Sequence, residues 1–105
     1  MLEKAKGAII LARALKKIPE AGRLNEEQQE RLSNALLTIS TCLFVLPGTV
    51  EGSTEREDLE IKMGYAKLTV DSLAGLTVSK VVAAAEDTVK EVFLSGLAEA
   101  VSSLS

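Results

Sequence analysis

The stretch ALLTISTCLFVLPG, Ala35 to Gly48, decides how this chain folds, because it concentrates apolar residues in a short protein and leaves open what hides them. A bilayer, the protein's own core and a second copy are the three places available. A membrane span needs about 20 predominantly apolar residues to cross roughly 30 Å. The twelve residues from Ala35 to Leu46 reach only about 18 Å as a helix, and Thr38, Ser40 and Thr41 interrupt them. No transmembrane segment is expected. On a helical wheel Leu32, Ala35, Leu36, Ile39, Cys42, Leu43 and Leu46 fall on one stripe with the spacing of a core face. Pro47 and Gly48 then stop the helix.

Outward from this helix the rest of the chain reads the same way. Its 105 residues are 47% hydrophobic but only 3% aromatic, with a mean hydropathy of +0.20, so Leu, Val, Ile and Ala must fill the interior. At this length a single helical domain over residues 1–105 is expected. Pro19 and the following Glu20–Gly22 end a first periodic segment, and Asn25 with Gln28 three residues later offers a capping box for the second. Thr54 with Glu57 reads as another capping box. Beyond Gly75 the apolar stripe turns by roughly 110°, which one straight helix cannot absorb while keeping one core face. The sequence therefore predicts an all-α, antiparallel four-helix bundle with helices at about 2–18, 25–46, 54–74 and 77–104. Pairs spaced i to i+4, Glu27 with Arg31, Asp58 with Lys62 and Glu86 with Lys90, are expected on the solvated faces.

The helices carry more apolar residues than one bundle core needs. Leu37 and Phe44 project away from the core stripe of the second helix. In the third, Leu59, Met63, Ala66, Val70 and Leu73 form the core stripe, while Ile61, Tyr65, Leu68 and Ser72 line the opposite side. The fourth has a stripe of Val82, Ala85, Val89, Val92, Phe93, Gly96, Ala100 and Leu104 with a thinner row of Ala83, Leu94 and Val101 behind it, and the first is expected to bury Ala8, Leu11, Leu15 and Ile18. One bundle buries one broad stripe per helix. Leu37, Phe44, Ile61, Tyr65 and Leu68 are accordingly the expected interface residues, and a homo-oligomer or a protein partner is the expected cover.

Charge and missing chemistry narrow the function classes. Net charge is -3, yet residues 1–18 hold Lys4, Lys6, Arg13, Lys16 and Lys17 against Glu3 alone. Lys6, Arg13 and Lys17 share one side of the first helix, a pattern that suits phosphates of nucleic acid or a peripheral anionic membrane surface. The competing reading is a face that is solvated or paired with the protein's own acidic surface. There is no histidine and one cysteine, so the commonest general base, the usual nucleophile partner and zinc sites of the finger or hydrolase type are all missing from a single chain. Cys42 lies on a core stripe, where a thiol acts as a small hydrophobe. The acidic run EREDLE lacks the ligand spacing of a calcium loop, and no glycine pattern cradles phosphates. The segment GAIILARALKK is broken by Arg13 and does not read as a signal peptide, so an intracellular, cytoplasmic protein is expected. The sequence thus leads to a non-catalytic helical assembly or adaptor subunit without cofactor or metal, with a phosphate-surface binder acting through the first helix as the alternative.

Overall fold

The computed structural model describes residues 4–73 and 75–104, with side chains described for residues 7–73 and 75–94. Four helices run in order: α1 Lys4–Lys16, α2 Glu26–Val45, α3 Thr54–Asp71 and α4 Val78–Leu104. Short 3-10 turns at Pro19–Arg23 and Leu46–Gly48 punctuate them, and no strand occurs among the described residues. Packing is antiparallel. The Cys42 thiol of α2 donates to the Leu59 carbonyl at one end of α3, while at the other end Asn34 and Thr69 line one groove. Likewise Lys17 meets Glu91 and Glu20 meets Lys80, so the end of α1 and the start of α4 run in opposite senses.

Local chemistry accounts for where the helices begin and stop. The Asn25 side chain accepts from the Gln28 amide at 2.8 Å and the Gln28 side chain accepts from the Asn25 amide at 3.1 Å, completing the expected capping box. At α3 the cap is Ser53, whose hydroxyl accepts from the Arg56 amide at 3.2 Å, and the expected Thr54–Glu57 box gives way to it. One residue of phase separates the two, and Ser53 is the one with extended backbone. The break after α3 falls where the stripe turns. Gly75 takes a φ of 84°, a left-handed conformation in which glycine carries no steric cost. The first helical bond of α4 then runs from the Val81 amide to the Thr77 carbonyl.

Helix α2 is the hub: it packs on each of the other three, most extensively on α3, whereas α3 touches α4 only lightly. Leu32, Leu36 and Ile39 have no exposed surface at all, and Val70, Val81 and Ala85 close over them from α3 and α4. The expected core faces of α2 and α3 are thus the ones buried. Helix α2 with its 3-10 extension, Glu26–Gly48, spans 23 residues with an apolar window of mean hydropathy 1.2. By length and composition it is long and apolar enough to cross a membrane, more than the twelve-residue count suggests. In this fold its core face is the surface on which the other helices assemble.

The phases of α1 and α4 differ from expectation. Helix α1 buries Ile10 and Ala14, leaves Leu11 and Leu15 half-buried and exposes Ala8, while Ile18 is buried as expected in the turn that follows. The helix ends at Lys16, so Ile18 sits beyond it and gives the wrong phase when counted as helical. Helix α4 buries Val81, Ala84, Ala85 and Thr88, with Val82, Val89 and Val92 half-buried and Phe93 59% exposed. Small Ala84 and Ala85 are the residues inward, while the bulkier Phe93 is left outside. Gly96, Ala100, Val101 and Leu104 lie outside the described side chains.

Candidate interaction surface

The outer side of α3 is built by helical spacing alone. Ile61, Tyr65 and Leu68 stand at i, i+4 and i+7, which places them in one row, and the core residues Ala66, Val70 and Leu73 point the other way. The row is open to solvent: Ile61 is 53% exposed, Tyr65 68% and Leu68 65%. Gly64 interrupts the same face. A side chain added there would have no neighbour within 4 Å, and its backbone is ordinary helix. Glycine inside a helix costs up to about 1 kcal/mol relative to alanine. Neither packing nor backbone geometry within the chain requires it.

The remaining interface candidates lie elsewhere. Leu37 is only half-buried because α1 crosses over it: a Cβ added at Gly7 would lie 3.7 Å from the Leu37 Cδ2. A neighbouring helix thus supplies part of the cover that the sequence assigns to an external partner. Phe44, 41% exposed, follows Leu37 by two turns of α2. It points about 160° away from Cys42, the residue that meets α3, by the 100° helical step. The structure therefore brings Ile61, Tyr65 and Leu68 together and leaves Phe44 apart from them.

Between α2 and α3 an open groove runs beside the row, lined at one end by Arg31, Asn34, Thr38, Tyr65, Thr69 and Ser72. Its continuation past Lys62 is more apolar, with Leu37, Val45 and Leu59. Arg31 is held by Glu27 at 3.2 Å, as expected, whereas α3 pairs Arg56 with Glu60 at 3.2 Å in place of the expected Asp58–Lys62.

The basic face of α1 is partly committed within the fold. The Lys17 ammonium reaches Glu91 at 2.6 Å and donates to the Thr88 hydroxyl at 3.2 Å, tying α1 to α4. Arg13 is exposed, and the side chain of Lys6 lies outside those described. Thr88, fully buried, donates in turn to the Ala84 carbonyl at 2.7 Å. Among the described residues no group of three His, Cys, Asp or Glu side chains converges as a metal site would. Cys42 is buried, and burial pushes its thiol above the ordinary value against the opposing pull of Lys62, which keeps it a protonated, weak nucleophile at neutral pH. The sequence missed the exposure of Phe93 on α4 and of Ile9 on α1 as surface apolar groups, both masked by the phase errors above, whereas Leu94, read as part of the second row of the fourth helix, is exposed. Comparison with protein families, curated proteins and solved structures yields no match.

Proposed function

We propose that this chain is a non-catalytic helical assembly subunit, which self-associates or packs into a larger complex through the outer face of α3. The observation that carries the reading is the exposed row of Ile61, Tyr65 and Leu68 on a helix whose opposite face already fills the core. Covering these side chains contributes on the order of 1.5–3 kcal/mol each, against which the loss of translational and rotational freedom must be set. Phe44 marks a second, smaller contact on α2. No cofactor or metal enters this reading. The phosphate-surface alternative has less support, because Lys17 is already held by Glu91 and Thr88.

Light scattering on the purified chain at micromolar concentration tests the proposal. The expected mass exceeds the 11.1 kDa of one chain, and Leu68→Asp reduces it to that value. A stable monomer, unchanged by Leu68→Asp or Phe44→Asp, would overturn it.

A further inference from the structure

We infer that the turn joining α2 to α3, residues 44–50, is a lipid-inserting tip that seats the protein on the surface of a neutral bilayer. This inference is separate from the assembly reading, which uses the outer face of α3.

Apolar side chains crowd the turn. Phe44, Pro47 and Val50 are exposed, Val50 by 75%, and Val45 and Leu46 are half-buried. Between Arg31 and Glu51 the chain holds no charged residue, so the turn leaves water without the penalty of burying a charge. The same run gives α2 and its 3-10 extension their membrane-like hydropathy, and only 33% of that apolar window is buried within the fold.

The backbone of the turn is prepared for the same step. A segment entering a bilayer must satisfy its polar backbone groups from within. The Leu46 amide donates to the Cys42 carbonyl. The Leu46 carbonyl accepts from both the amide and the hydroxyl of Thr49, at 3.0 and 2.6 Å, and the Val50 carbonyl accepts from the Ser53 amide at 3.1 Å. Pro47 has no amide hydrogen to satisfy. Thr49 is the one polar side chain in residues 44–50, and its hydroxyl is spent on the turn itself.

These features favour lipid over a protein. A specific protein interface carries about one hydrogen bond per 100–200 Å², and a turn whose polar groups are already bonded offers little to form them. Its surface is also open: a Cβ added at Gly48 or Gly52 meets no atom within 4 Å. A fluid acyl boundary needs no matching pocket, whereas a protein partner does. Glu51 and Glu55 border the tip and disfavour an anionic leaflet, which leaves a neutral one. So few side chains make a weak, reversible anchor, half-saturated at lipid on the order of 1 mM and thus looser than a single myristoyl chain.

Co-sedimentation of the full chain with phosphatidylcholine vesicles tests the tip. The wild type is expected to pellet equally at about 0.1 and 0.5 M salt. Val50→Asp is expected to weaken binding by about tenfold, the loss of one apolar side chain from the bilayer, with unchanged helical circular dichroism. Leu68→Asp is expected to leave vesicle binding unaltered, which separates failure of the tip from failure of the assembly reading. The chain has no tryptophan, so Val50→Trp places a single fluorophore in the turn; its emission should shift to the blue with vesicles and be quenched by acyl-brominated lipid, and Leu68→Trp should show neither. A wild type that does not pellet at about 5 mM lipid, or a Val50→Asp chain that pellets as well as the wild type, overturns the inference. Binding to anionic vesicles alone, abolished by salt, overturns it in favour of the basic residues of α1. A blue shift of Val50→Trp that grows with protein concentration and ignores lipid overturns it in favour of a protein contact.

Discussion

Helices α2 and α3 begin from the same kind of sequence, a core stripe with a second apolar row behind it, and finish in opposite situations. Around α2 the other three helices use up most of the circumference, so that α1 covers part of Leu37 and even Ser40 is fully enclosed. Helix α3 stands at the edge, supported chiefly by α2, and its second row of Ile61, Tyr65 and Leu68 meets solvent. A second apolar row therefore has two meanings. On the central helix Leu37 serves the fold in part while Phe44 stays exposed, and on the edge helix the whole row meets solvent.

The sharpest way to break this contrast is to cut the same amount of side chain from both helices. Ile39→Ala on α2 removes a side chain with no exposed surface, and unfolding by urea should show a loss of about 2–5 kcal/mol. Leu68→Ala on α3, measured at a concentration where the chain is monomeric, should stay within about 0.5 kcal/mol of the wild type. Equal losses at the two sites would mean that α3 has no free face.

Burial around α2 is complete enough to trap a hydroxyl: Ser40 Oγ has no hydrogen-bond partner. Ser40→Ala should thus raise stability by about 1 kcal/mol, read as a higher urea midpoint. A loss would show that the hydroxyl is satisfied and that the enclosure of α2 is looser than described. Lys17→Met keeps the aliphatic stem and deletes the tie to Glu91, whose partners are 30% and 49% exposed. The expected cost is roughly 0.2–1 kcal/mol, shrinking as salt is added, and a salt-independent cost would point to lost packing instead.

The smallest effect is one of pH. The Cys42 thiol is raised above its ordinary 9.0 by burial on the α2–α3 contact. The folded state then holds its proton more tightly than the unfolded chain does, so this contribution is fully present below about pH 9 and is lost as pH rises through and beyond it. Urea midpoints of wild type and Cys42→Ala should run parallel from pH 6 to 8, roughly, and converge toward the alkaline end. A constant gap would place the thiol in water and away from α3.

Much of this was legible in the residues wherever a signal is local. Asn25 and Gln28 sit three apart and cap α2 as read; Gly75 turns where the stripe turns; the core faces of α2 and α3 follow from spacing because polar residues bound them clearly. The stretch GAIILARAL is different. Its apolar residues run around the whole of α1, so that periodicity leaves the phase open, and contact with α2 and α4 selects Ile10 and Ala14. In α4 a run of Val and Ala poses the same ambiguity, and Ala84 with Ala85 is chosen as the inward pair. The exposed apolar row on α3 was readable; that α1 covers part of Leu37 and that Glu91 holds Lys17 were not. Both depend on contacts between segments far apart in the chain, which no local spacing encodes.

The Lys17–Glu91 tie joins positions 74 residues apart, whereas α2 and α3 are neighbours along the chain. Closing so long a loop sacrifices more chain entropy than forming a helical hairpin. The order of assembly follows: α2 and α3 zip together early, and the α1–α4 clasp shuts last. In the interval before it shuts, the hub helix stands with one flank bare. That interval closes as α1 packs on α4 through its buried Ile10 and Ala14, with the Lys17–Glu91 pair adding only a small share.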